Sequence, residues 1–390
     1  MTTIDLSEAV TPLLATARAF RPRLLAERDR IETERRLPDD LAADLAAAGF
    51  FRISLPAAYG GLDLKPAEGL LIFEELAKAD PAVAWCVWNG NTYWTVARLD
   101  ARAAAEIFSA PAVITANSTQ PKGRAEVVDG GYRVSGRWSL VSGCQISEWL
   151  QLHCIVHEGG SPRPTPAGTP QRRHMYCRTA DCRIVDTWSA GGLRGTGSHD
   201  VIVEDLFVPE HCGSWHSDPL VLPEPRYRFP SSTRVGPGCG ALALGIARAA
   251  IEALIELGGA KRPEVSRGTL SEDHGAQARL AQAEALVGSA RLLLFETVER
   301  LWSQVLADGE ADAAGCMRVR LATNHAVNSA VQAVDLLYLS GGATSLYTSF
   351  PLERAFRDVH AMTQHAVVHP RVMEAAGRVL FGLEPDTPIF

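Results

Sequence analysis

Residues 335–369 read DLLYLSGGATSLYTSFPLERAFRDVHAMTQHAVVH, and this stretch decides how the rest of the chain is read. An apolar helical run ends in Ser340-Gly341-Gly342, a place where glycine stops a helix readily. An irregular piece containing Pro351 follows. A charged run comes next, Glu353-Arg354-Ala355-Phe356-Arg357-Asp358-Val359-His360, and five residues beyond it stands His365. The approach to that histidine, Met362-Thr363-Gln364-His365, carries no carboxylate.

Working outward, the pattern is helical from Pro237 to Phe381, apart from a polar break with Gly and Pro over 257–273. Leu294, Val298, Leu301 and Val305 form a 4-3-4 stripe, and long helices are expected over 276–307 and 314–339. Upstream, from Pro111, the period switches to alternation. Short β-type runs are expected at 113–117, 125–128, 132–141, 149–156, 175–186 and 201–208, with Asp129-Gly130-Gly131 as a hairpin turn and 159–171 as an exposed loop. The first third is helical again: 5–50, with helix-start chemistry at Pro38-Asp39-Asp40, then 66–80 and 82–108. The second of these holds an aromatic patch with amides between its rings, Trp88-Asn89-Gly90-Asn91-Thr92-Tyr93-Trp94. It reads either as a packed helix or as the wall of a pocket for an aromatic ligand. The expected fold class is α+β, with helices in 1–110, strands in 111–225 and helices in 226–390.

The 390 residues suffice for two or three domains. Hydrophobic residues make up 46% and charged ones 21%, ordinary for a globular chain. A net charge of -7 gives no electrostatic case for nucleic acid or an anionic membrane. No basic region with an apolar core opens the sequence, and no uninterrupted apolar run reaches the ~18 residues of a membrane span, so a cytoplasmic protein is expected. The eight cysteines are scattered. Cys177 and Cys182 match neither a redox nor a zinc spacing, so reduced thiols and no metal are expected.

The motifs resemble the acyl-CoA dehydrogenase superfamily. Leu55-Pro56-Ala57-Ala58-Tyr59-Gly60-Gly61 is similar to its turn after the first helices. The run from Trp188 through Gly191-Gly192-Leu193-Arg194-Gly195-Thr196-Gly197-Ser198, with Val208-Pro209-Glu210 closing the next strand, is similar to its flavin turn. The resemblance implies an N-terminal helical domain, a central β-barrel and a C-terminal four-helix bundle. Where dehydrogenases place a catalytic glutamate, this chain offers His365, and their Gly-Ser-Asp stretch is absent from 117–126. These departures resemble the two-component flavin-dependent monooxygenases.

That likeness implies a flavoenzyme that takes reduced FMN, or FAD, from a flavin reductase. With O2 it forms a C4a-hydroperoxide and hydroxylates, or N- or S-oxidises, an aromatic, amine or polycyclic small molecule. An FAD-dependent dehydrogenase or oxidase of the same fold is the alternative. The implied catalytic residues are His365, as base or as hydrogen-bond partner of the oxygen, and Ser142, facing flavin N5. Cofactor contacts are implied for Trp138, Ser142, Gly143, Thr196 and Ser198. For the phosphate end they are Arg262 (or Arg267), with Gly341 and Gly342 reaching a neighbouring subunit of a homotetramer. A guanidinium suits a phosphate by its paired donors. Substrate contacts are implied for Asn91, Tyr93, Trp94 and Asn117. Phenol hydroxylases of the branch use a histidine and a serine where Asn91 and Asn117 align, which leaves an amine, an aminosugar or a larger polycyclic open.

Overall fold

The computed structural model describes residues 6–93, 95–263 and 268–384. The N-terminal helices are α1 (Val10–Ala26), α2 (Arg28–Glu34), α3 (Asp39–Ala47), α4 (Pro66–Ala79), α5 (Pro81–Gly90) and α6 (Ala101–Ile107). Their starts follow local chemistry. The Asp80 carboxylate caps α5 by accepting from the Ala82 and Val83 amides at 2.9 and 3.0 Å, and Pro81 fills the first turn, where no N–H is needed. The single helix expected over 82–108 is instead two, α5 and α6, with a 3-10 turn between them. Asn91 is the cause: its side-chain amide donates to Val87 O and Phe50 O, which closes the end of α5.

The strands are β1 (Thr115–Val128), β2 (Gly131–Val141), β3 (Trp149–Glu158), β4 (Ser161–Pro162), β5 (Arg172–Arg178), β6 (Arg183–Val185), β7 (His199–Pro209) and β8 (Gly213–Ser214). They form one sheet in the order β6-β7-β2-β1-β3-β5-β8, with β4 on β3. The two runs expected at 113–117 and 125–128 are one long strand, β1. Its register against β3 slips between Ser118 and Gly123, around Pro121, which has no N–H to give a ladder. β1 and β3 are parallel while β1 and β2 are antiparallel, so the chain after β2 must cross the sheet end to reach β3. That crossing, 142–148, carries Ser142 and Gly143. Pairing of Val141 with His199 then brings the glycine-rich turn before β7 to the same end. Two distant motifs meet because of sheet register.

The C-terminal helices are α7 (Ser231–Ala260), α8 (His274–Asp308), α9 (Ala313–Gly341), α10 (Pro351–Met362) and α11 (Pro370–Leu380). Helices α7 to α10 pack on one another, and Leu294, Val298, Leu301 and Val305 are all buried there. α7 starts earlier than the sequence pattern indicates and holds Pro237 within it. A Cβ on the following Gly238 would sit 2.3 Å from the Trp88 ring, so that glycine is a packing requirement. By length and composition α7 is apolar enough to cross a membrane, but 78% of its most apolar window is buried inside this structure.

Candidate flavin site

The end of the sheet and the face of α5 build a polar seam. Trp85 Nε1–H donates to Ser142 Oγ at 3.0 Å. Ser142 Oγ lies 2.7 Å from Ser198 Oγ, which lies 2.7 Å from Thr196 Oγ1. Thr196 Oγ1 in turn donates to Leu193 O at 2.9 Å. A carbonyl only accepts and an indole N–H only donates, so both ends fix the polarity of the chain. Ser142 donates to Ser198, Ser198 to Thr196, and Thr196 to Leu193 O. Every hydroxyl proton is committed. What remains at Ser142 is an acceptor lone pair.

Glycines shape this seam. Gly143 and Gly197 have positive φ (74° and 52°), where a Cβ is strained, and Gly143 N donates to Thr196 O at 2.8 Å. A Cβ on Gly192 would stand 2.2 Å from Arg357 O, so α10 lies directly on the turn. Helix α10 also fixes it by charge. The buried Asp358 carboxylate accepts from Leu193 N at 2.6 Å, and Arg354 joins Asp358 to the α5 cap, Asp80, at 2.8 Å.

His365 lies just beyond α10, half-buried. Its ring stands edge-on to Trp85 (centroids 5.4 Å, 81°) and Trp88 (5.5 Å, 70°). It is therefore linked to the seam through Trp85. The Val367 amide donates to His365 Nδ1 at 3.4 Å, so in the neutral ring the proton is on Nε2. Burial among these rings lowers the imidazole to about 4. At neutral pH His365 is an uncharged donor through Nε2–H. His360, by contrast, is engaged with Phe356 O and with Asp335 of α9.

The residues foreseen from sequence fall into three groups. Ser142, Gly143, Thr196 and Ser198 come together, with His365 beside them. Asn117 joins the same seam: its amide donates to Asn89 O (3.1 Å), Asn89 Oδ1 and Thr92 Oγ1, while Asn89 Nδ2 donates to Ser142 O at 3.2 Å. Gly341 and Gly342 lie elsewhere, where Lys261 Nζ holds Gly341 O and Thr344 Oγ1, near Leu352 at the start of α10, and Arg262 is the next residue after that lysine. Three expectations are corrected. Trp138 is 0% exposed inside the sheet's apolar core, its N–H bonded to His153 O, so it has no surface for a cofactor. Asn91 has its amide on Phe50 O and Val87 O and its oxygen on Ser54 N, leaving nothing for a substrate. Tyr93 is 2% exposed and donates to Phe51 O at 2.6 Å. Trp94 and Arg267 lie outside the described residues. Trp85 and Asn89 are the α5 residues that reach Ser142. Their four-residue spacing on α5, one face of one helix, was the available signal.

Several imidazoles share the depression seen at His365. Desolvation lowers His153, takes His174 well down and brings His216 to about 4. The unfolded chain takes up these protons near pH 6.5 and the folded chain does not, so stability is full above that pH and falls as pH drops toward 4. Asp358, pushed up to about 6 by burial, acts in the opposite sense, but it is one group against several. Urea unfolding at pH 7.0 and 4.5 should show a loss on the order of 2 kcal/mol from His365 alone. An unchanged midpoint would contradict the buried neutral state.

Two family models match the chain: the N-terminal domain of acyl-CoA dehydrogenase over residues 7–101 and its C-terminal domain over 238–370. An indole-3-acetate monooxygenase of Pseudomonas putida is 31% identical over 391 residues, covering 99% of each chain. The oxygenase subunit HsaA, a flavin-dependent monooxygenase of Rhodococcus jostii, is 31% identical over 379 residues, covering 94% of this chain and 97% of its own. Among solved structures, a 3-HSA hydroxylase from Rhodococcus superposes with a TM-score of 0.87 at 29% identity, covering 98% of this chain and all of the other.

Proposed function

Because the chain belongs to the acyl-CoA dehydrogenase family, and within it to the branch of two-component flavin-dependent monooxygenases, we propose that it receives reduced flavin from a separate reductase, consumes O2 and places one oxygen atom on an aromatic small molecule. The observation that carries this reading is the polarity of the hydroxyl chain. Ser142 can only accept, and reduced flavin, unlike oxidised flavin, presents an N–H at its N5 edge. The seam therefore fits the reduced cofactor better than the oxidised one. When bound, reduced flavin supplies the activation of O2.

The protein's own tasks follow from its residues. Trp85, Trp88 and the edge of His365 exclude water from the seam, which protects an oxygen-transfer site from wasteful release of hydrogen peroxide. His365 holds a donor proton at Nε2. The carboxylates of the neighbouring helix are engaged: Glu353 with Arg357, Asp358 with Leu193 N–H and Arg354. Neither is aimed as the base that desaturation of an acyl thioester needs. We assign Arg262, and the Gly341-Gly342 turn that Lys261 holds, to the phosphate end of a flavin held by another subunit of a homotetramer. FMN is the cofactor of this reading and FAD the other. The free thiols fit a reducing cytoplasm.

The test is paired binding. Under anaerobic conditions reduced FMN should bind more tightly than oxidised FMN, and Ser142→Ala should weaken the reduced form about three- to tenfold, the worth of one hydrogen bond, with the oxidised form unmoved. Oxygen uptake should then require a reductase. A protein that purifies yellow and is bleached by acyl-CoA would instead be a dehydrogenase.

A further inference from the structure

Sheet register puts Asn117, Gln151 and Tyr176 in one line across β1, β3 and β5, and His153, His174 and Ser214 in the next line across β3, β5 and β8. Residues in register share a face. The opposite face carries Leu150, Leu152, Met175 and Cys177, all in the apolar core. One side of this sheet is thus polar and yet buried: Gln151, His153, His174 and Tyr176 are each at most 5% exposed.

Three of its atoms are sealed from solvent with no hydrogen-bond partner among the described residues: His153 Nε2, His174 Nδ1 and Tyr176 Oη. Buried polar groups ordinarily find partners. His153 is the most telling. Its Nδ1 lies 2.7 Å from Thr119 O, so Nδ1 carries the proton and Nε2 is a bare acceptor. Desolvation keeps these rings uncharged. Tyr176 has a hydroxyl proton to give. The patch joins the flavin seam at Asn117, and Gln151 continues it through Thr95 Oγ1 to Ser214 Oγ. Its cover is Trp215, whose ring lies 4.8 Å from His153 and 5.0 Å from His174. Trp215 stands outside any helix or strand, so the cover can yield without breaking the sheet.

We propose that this polar face is a distal substrate subsite, which takes a neutral hydroxyl at the end of the substrate remote from the oxidised atom. The proposal rests on the monooxygenase reading for its orientation. A hydroxyl both donates, to His153 Nε2, and accepts, from Tyr176 Oη; a carboxylate would meet the bare His153 lone pair with another. Two strand spacings, about 10 Å, separate the Asn117 strand from the Tyr176 strand. A single ring at the flavin does not bridge that distance, so the substrate is a fused or chain-bearing aromatic.

Three probes with one ring system test this by calorimetry on the full-length protein: tryptophol (hydroxyl), indole-3-acetate (carboxylate) and 3-ethylindole (neither). Tryptophol should bind at least fivefold more tightly than the other two. Tyr176→Phe, which removes only the unpartnered hydroxyl, should erase that preference while 3-ethylindole binding and the unfolding midpoint hold or improve. No preference in the parent, a preference unchanged in Tyr176→Phe, or binding of none of the three would overturn the subsite. Oxygen uptake with reduced FMN, read separately, reports on the monooxygenase reading. If the preference vanishes in the variant but reduced flavin is never consumed, the subsite stands and that reading falls.

Discussion

His365→Ala is expected to lower the yield of oxygenated product by about 10²- to 10³-fold, the usual cost of removing one preorganised donor at a reacting oxygen. Oxidation of reduced flavin should continue near the parent rate, with hydrogen peroxide replacing product. The reason is the tautomer. Nδ1 receives the Val367 amide, so Nε2 carries the proton, and burial keeps the cation from forming until about pH 4. To act as a base at Nε2 the ring would have to give up that amide and become charged between two indoles. A donor does neither. His365→Gln separates the two roles, since its amide still donates near the old Nε2 position but cannot accept a proton. The donor role predicts partial recovery in His365→Gln and a parent profile flat from pH 6 to 9. A base role predicts two equally dead variants and a sloping limb. Product and peroxide measured together across that range decide between them.

The chain announced its architecture more clearly than its site. Helical and alternating periods are written in the spacing of apolar residues, and burial of the Leu294, Val298, Leu301 and Val305 stripe follows from that spacing. The two glycine turns at the sheet end were legible because glycines at 143 and 197 answer a backbone need that few other residues meet. The α5 side of the seam was not legible, for a specific reason. Asn91, Tyr93 and Asn89 are polar neighbours in one segment, and only the end of α5 decides which of them turn inward. Asn91 is consumed in closing the helix and Tyr93 in holding Phe51 O, while Asn89, one turn after Trp85, faces Ser142. Trp138 misled in the same way. A tryptophan two residues before a bulge at Leu140 (φ 60°) points to the opposite side of the sheet from the turn that follows. The polar face at His153 and His174 was hidden because two histidines twenty-one residues apart show no period. Only the β3–β5 register makes them neighbours.

The largest stability effect is expected at Asp358. Asp358 and Asp80 are 0% exposed and Arg354 is 8% exposed, so one guanidinium sits between two buried carboxylates, with Glu32 at 3.6 Å. Asp358→Ala leaves Arg354 short of a charge and the Leu193 N–H without its acceptor. Removing one partner of a buried pair costs about 3–5 kcal/mol, a large share of the roughly 5–15 kcal/mol that holds a domain folded. Asp358→Asn keeps an oxygen for Leu193 and should cost less than half as much. The functional consequence is separate from the loss of stability. Leu193 is held at φ 51°, a conformation that leucine rarely adopts, and its carbonyl terminates the Thr196–Ser198–Ser142 chain. Once its amide is released, Leu193 can relax, Thr196 loses its fixed acceptor, and Ser142 is free to turn its proton toward the flavin. In the alanine variant, held at a temperature where it remains folded, the preference for reduced over oxidised FMN should therefore shrink, while Asp358→Asn retains it. Arg357→Ala is the control. It breaks the bonds to Gly191 O, Glu353 and Glu32 but leaves the Leu193 N–H on Asp358. If Arg357→Ala and Asp358→Ala lose the redox preference equally, α10 merely supports the turn. If only Asp358→Ala loses it, the buried carboxylate sets which way the serine points.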